Sequence, residues 1–200
     1  MAQAAVPPPP PIPVPASAQP RSGSSSARIL VPLAIGALVA LSLGVYGRVH
    51  DPTGRSLVTL FFTETITLKV WLATAAFLLA IGQVLGGMRM YGKLGKSRGP
   101  RWLRTGHRVF GTLAFLLTIP VAYHCLWALG FQSGQGTRIL VHGIAGCFFF
   151  GALTAKVIIV RTRRWPKWVL PTMGGVVFSL LTILWSTSAL WFFTNVGFKI

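Results

Sequence analysis

The chain has 200 residues, 52% hydrophobic and 10% charged, with 19 Lys and Arg against two acids, Asp51 and Glu64, for a net charge of +17. A soluble domain carries about 25% charged residues, so this composition excludes an ordinary water-soluble fold and points to an integral membrane protein. The basic excess is not expected to serve nucleic acid, because the cations fall in loops between apolar stretches, where they orient a membrane protein and meet anionic lipid.

Residues 1–27 (PPPPPIPVP, then SAQPRSGSSSA) read as a disordered Pro/Ser-rich tail. The tail shows no basic start followed by an apolar core, so no cleavable signal peptide is expected. Residues 28–200 read as an all-α transmembrane domain of five helices, over about 29–47, 65–88, 106–131, 138–160 and 169–193. Each is near the ~20 residues that a bilayer requires. Pro32, Pro120 and Pro171 fall within or at the start of these stretches. Neighbouring helices can satisfy the carbonyl that such a proline frees.

Lys and Arg set the orientation. Arg89, Lys93, Lys96, Arg98, Arg101 and Arg104 lie between the second and third stretches, and Arg161, Arg163, Arg164 and Lys167 between the fourth and fifth. With Arg21 and Arg28 they place the N-terminus inside and the C-terminus outside, in a multi-pass membrane protein. Trp102, Trp165 and Trp168 suit an inner aromatic belt, Trp127 and Trp191 an outer one. Cys125 and Cys147 lie inside apolar stretches and form no C-x-x-C motif, so they read as small apolar fillers. The outer loop, 48–64, holds both acids and Ser56–Phe62 (SLVTLFF), too short to span.

His124 and His142 carry the functional reading. The short link between the third and fourth stretches predicts antiparallel neighbours. At about 1.5 Å per residue, both imidazoles sit at similar depth on the outer side. An ionisable group at that depth is a functional-site hypothesis by default. Two facing histidines are what a bis-histidine haem b needs. Gly143 and Gly146 leave room for a flat ring, Phe148, Phe149 and Phe150 can wall it, and Arg138, one turn from His142, can meet its propionates, with Arg48 and Arg55 on the same side. The other reading of the pair is two unrelated histidines bonded to a carbonyl and a hydroxyl. A non-haem metal or a proton role is a third.

His107 lies 17 residues before His124, roughly 25 Å along a straight helix. No histidine on the fourth stretch matches its depth. Met88 or Met173 would have to complete an inner haem, so a second haem is not expected, and His107 reads as an interfacial residue near lipid phosphate. Lys156 reads as a snorkelling anchor. His50 beside Asp51 is either a turn cap (HDPTG) or a proton-handling pair. With Leu57, Leu60, Phe61 and Phe62 that pair could cap a quinol head group.

Over about residues 104–161 the chain resembles small membrane cytochromes of the cytochrome b561 and ferric-reductase-like class. The likeness lies in His107–Arg108, in PVAYHC around His124 and in LVHGIAGCFFFG around His142. The chain also resembles a group of short bacterial polytopic membrane proteins with a Pro-rich head. The cytochrome likeness implies haem on histidine and electron transport as an oxidoreductase component, though that class commonly carries two haems on four histidines. No G-x-G-x-x-G loop is present, so no flavin or nicotinamide domain is expected. Donor and acceptor would then be a quinol or a redox protein, iron–sulfur or cytochrome. The alternatives are a non-redox accessory or scaffold subunit of a membrane complex, and a small proton-coupled carrier using the histidines and Asp51.

Overall fold

A computed structural model describes residues 25–55, 59–62, 64–95, 99–131, 134–162 and 165–198, with side chains from residue 29. Most of the Pro/Ser-rich tail therefore lies outside the described residues, as do Leu57, Lys96, Arg98, Arg163 and Arg164.

Five helices follow one another: α1 (Ser25–Val49), α2 (Thr65–Met90), α3 (Arg101–Leu129), α4 (Thr137–Thr162) and α5 (Val169–Asn195). No strand occurs among the described residues. Each helix is long and apolar enough to cross a bilayer. Leu38, Leu41, Leu78, Phe148 and Val160 are more than half exposed on the outside of the bundle. Exposed apolar surface on this scale belongs in lipid, and the chain is a multi-pass membrane protein with an all-α bundle.

The helices run slightly longer than expected. α1 begins at Ser25, inside the expected tail. α3 begins at Arg101 because Pro100 before it is extended (φ −60°, ψ 160°) and releases the chain into the helix at once. α3 ends at Gly130, whose φ of +64° only glycine adopts freely. A Cβ there would also lie 2.8 Å from Pro52 Cγ.

The packing order differs from the chain order. α1 packs on α4, α4 on α5, α5 on α2 and α2 on α3, while α1 meets α3 at the last turns of α3. The consecutive helices α3 and α4 do not pack along their length, which corrects the expectation of direct neighbours. The cause is small-residue packing elsewhere. Gly36, Ala40 and Gly44 on α1 meet Gly151, Ala155 and Cys147 on α4, and a Cβ at either Gly36 or Gly151 would lie 2.5 Å from the other's carbonyl oxygen. Small residues four apart let membrane helices approach backbone to backbone. α4 is thereby drawn to α1, and a gap opens toward α3.

The α2–α5 contact is aromatic. Val70, Ala189 and Phe192 are buried together against Trp185 and Phe193. Trp185 stacks on Phe77 at 4.7 Å and donates from Nε1 to Thr74 Oγ1 at 3.1 Å.

Candidate functional site

The gap between α3 and α4 is a cavity of about 170 Å³, lined by residues from all five helices. Its wall is mostly apolar: Leu43 of α1, Val121 and Ala122 of α3, Phe149 and Phe150 of α4, and Leu181 of α5. His142, Gly143 and Gly146 line it, as do both free cysteines, Cys125 and Cys147. The Phe131 ring lies over Gly143, where a Cβ would meet it at 3.0 Å. Gly146 is roomier, since a Cβ there would meet only Leu184, at 3.8 Å.

Two π-helical turns flank this end of the bundle, His124–Leu129 in α3 and Ser186–Leu190 in α5. Such turns are uncommon and recur at functional sites. Pro120 lacks an N–H, so the ladder of α3 is already one donor short a turn earlier. The Pro120 carbonyl then accepts twice, from the His124 backbone N–H and from its ring Nδ1 at 2.7 Å.

That second bond settles the His124 tautomer. A carbonyl only accepts, so Nδ1 carries the hydrogen and Nε2 the lone pair. His124 is 2% exposed, and its Nε2 is buried without a hydrogen-bond partner. His142 follows the same logic through a side chain. Its Nδ1 lies 2.9 Å from Thr187 Oγ1. The Thr187 hydroxyl donates to the Ile183 carbonyl at 2.7 Å, so it accepts from His142, and the lone pair again falls on Nε2. Holding the remote N–H on a backbone or hydroxyl oxygen is how metal-binding histidines are oriented.

The two histidines do not stand equally toward the cavity. His142 is part of its wall, whereas His124 is not, and its helix presents Val121, Ala122 and Cys125 there. Arg138, one turn from His142, is held by α5. Its guanidinium donates to the Thr187 carbonyl at 2.5 Å and lies 4.0 Å from the centre of the Trp191 ring. Arg138 and His142 thus converge on one residue of the α5 π turn.

Of the two readings of His50 and Asp51, turn cap and proton-handling pair, the hydrogen bonds favour the cap. The His50 Nε2 donates to the Trp127 carbonyl at 3.3 Å, and its ring stacks between Tyr46 (4.9 Å) and Trp127 (4.7 Å), while Asp51 is exposed. Thr53 and Gly54 donate backbone N–H groups to the Trp127 and Ala128 carbonyls. The HDPTG run therefore ties the first loop to the end of α3, which is its turn-cap reading.

His107 is distant from this layer, at the other end of α3. Its ring packs over α2, where a Cβ at Gly86 would lie 3.6 Å from Nδ1, and that Nδ1 is buried without a partner.

Sequence reasoning missed Lys69, which is buried on α2 and near enough to His142 to act on it electrostatically. The signal was present, since a lysine inside an apolar span obeys the same rule that singled out the histidines. It also missed Thr187, whose role depends on the π turn.

Fold and site together define a five-helix membrane protein with two tautomer-fixed histidines at one end. Residues 29–200 match the family of unknown function DUF6529, and the chain belongs to that family. No curated protein and no solved structure matches it.

Proposed function

We propose that this protein is a b-type cytochrome of a bacterial cell membrane, carrying electrons between a quinol or redox-protein partner and an acceptor. The observation that carries the reading is His124: a nearly inaccessible imidazole whose Nδ1 is tied to Pro120 and whose Nε2 has no partner. A buried polar atom left unpaired costs about 1–3 kcal/mol, a cost that ligation of a metal would remove. His142, with the same nitrogen carrying the lone pair, supplies a second donor of the same chemistry at the same end of the bundle.

The residue chemistry suits haem: His142, an apolar wall and glycines at 143 and 146 line the cavity, and His124 would have to be brought to it from outside that lining. When bound, the haem supplies a reversible one-electron couple. His124 and His142 would hold it, Pro120 and Thr187 would orient those rings, and the apolar wall would keep water from the iron. A porphyrin needs more room than the 170 Å³ cavity. The Phe131 ring over Gly143 is the side chain best placed to yield. The basic loops support the N-inside orientation, which puts this site on the outer half.

The test is spectroscopic. Full-length protein expressed with ample haem should show a low-spin Soret band and about one haem per chain by pyridine haemochrome, following from one axial pair. His124→Ala and His142→Ala should each abolish or severely reduce that band, and His107→Ala should retain it. Colourless wild-type protein would refute the reading, and haem that survives His142→Ala but not His107→Ala would move the site to the other end.

A further inference from the structure

The basic end of the bundle holds a second polar layer that the haem reading does not use. Gln83 lies seven residues before the end of α2, His107 six residues after the start of α3, and Lys156 six residues before the end of α4. At about 1.5 Å per residue, all three lie roughly 9–10 Å inside the helix ends. Gln83 Nε2 and His107 Nδ1 are both buried without a hydrogen-bond partner. Their helices are packed together, with Gly86 and Gly87 opposite His107, and Gly111 opposite Gln83. Lys156 stands at the same depth on α4.

Nothing in the chain can neutralise this layer. The only acids, Asp51 and Glu64, are exposed in the loop at the opposite end. Hydrocarbon offers no hydrogen bonds, so each orphan atom is costly where it stands. The groups also suit one kind of occupant. An amide N–H, an imidazole and an ammonium together serve oxygen atoms on a ligand. Such a ligand must arrive through lipid. A phosphate head group would have to shed its hydration to reach atoms buried between helices, whereas a neutral ring with two carbonyl oxygens sheds little.

We propose that Gln83, His107 and Lys156 form a binding site for the head group of a membrane quinone. The amide of Gln83 donates to one ring oxygen, Lys156 donates to an oxygen on its side, and His107 pairs with the ring oxygen nearest α3. The site deepens the cytochrome reading by naming a lipid-soluble partner, and it lies at the end away from His50, the other place where the sequence allows a quinol head group.

The experiment uses the full chain in nanodiscs, titrated with a benzoquinone and a naphthoquinone bearing decyl tails. Binding is read by quenching of tryptophan emission and by photolabelling with an azido-quinone. Saturable binding is expected, with label on the peptide spanning residues 80–111. Gln83→Leu and His107→Leu should each weaken binding about tenfold, as expected for loss of one buried hydrogen bond. His50→Ala should leave it unchanged. If either substitution impairs folding, as judged by gel filtration and melting, Lys156→Met on a separate helix gives the same reading. Absence of saturable binding, or binding unaltered in these variants, would overturn the proposal and leave bound water as what satisfies the layer. Haem content is measured on the same samples. Colourless protein that binds quinone refutes only the cytochrome; red protein that does not bind it refutes only this site.

Discussion

The two sides of α4 were built to opposite ends. Toward α1 its surface is Gly151 and Ala155, and the backbones touch so closely that no Cβ fits at Gly151. Toward α3 its surface is His142, Gly143, Gly146 and Phe150, and a cavity remains. Small residues occur on both sides, so size alone does not decide whether a membrane interface closes. What differs is the facing helix. α1 answers glycine with Gly36, Ala40 and Gly44, whereas α3 answers with Val121, Cys125 and Leu126. The first pairing gains dispersion contacts by close approach. The second cannot close without colliding, and it leaves the glycines of α4 as open floor.

The sharpest way to break this comparison is to put bulk on the closed side. Gly151→Leu should prevent α1 from seating, since even the first added carbon lies 2.5 Å from the Gly36 carbonyl oxygen and 2.9 Å from Ala40 Cβ. Overpacking costs about 1–3 kcal/mol when side chains can adjust, and here the obstacle is backbone. The expected outcome is loss of most folded protein, seen as aggregation in detergent and a collapsed yield on gel filtration. A Gly151→Leu protein that elutes and melts like wild type would mean that α1 does not hold α4 in this way.

The same substitution on the open side should behave differently. At Gly146 a Cβ has only an ordinary 3.8 Å contact with Leu184, and the rest of a leucine would enter the cavity. Gly146→Leu should therefore fold, with a melting temperature at or above that of wild type from burying apolar surface, roughly 25 cal/mol per Å². Haem content should fall several-fold while His124 and His142 remain intact. Normal haem in a folded Gly146→Leu protein would separate the cofactor from this cavity.

Hydrophobic length made the five spans legible, because a bilayer imposes one requirement that a sequence window can meet or fail. The contacts among them were less legible. Consecutive order suggested that α3 and α4 pair, but short links constrain which helix ends lie together, not which faces touch. The Gly36, Ala40 and Gly44 spacing was the better guide. At the site, the histidines stood out as ionisable groups in apolar runs. What fixes them did not: Pro120 O, Thr187 Oγ1 and the π turns depend on a local departure from 3.6 residues per turn, which pattern reading assumes throughout. His50 and Asp51 allowed a chemical pair as well as a turn cap because they are adjacent, and adjacency says nothing about direction. The imidazole turns to the Trp127 carbonyl across 77 residues of chain.

That last contact gives the smallest expected effect. His50 joins the first loop to the end of α3 through one long hydrogen bond at 3.3 Å and two ring stacks, in a partly exposed position. Its neighbours Thr53 and Gly54 hold the same turn through backbone bonds that His50→Ala does not remove. The lost bond is worth about 0.5–1.5 kcal/mol in net terms, and the stacking with Tyr46 and Trp127 roughly as much again. The melting temperature should drop by only a few degrees. Hydrogen exchange at the Thr53 and Gly54 amides should quicken, since those donors sit on the strap that His50 steadies. The haem band of the proposed cytochrome should not change, because His50 is neither on the cavity wall nor bonded to His124, His142 or their orienting partners. The rate of haem reduction by added quinol should also stay the same if the loop is only a strap. A large loss of that rate in a protein with normal haem would return the loop to the reaction and make the His50 bond to Trp127 one state of a group that moves protons.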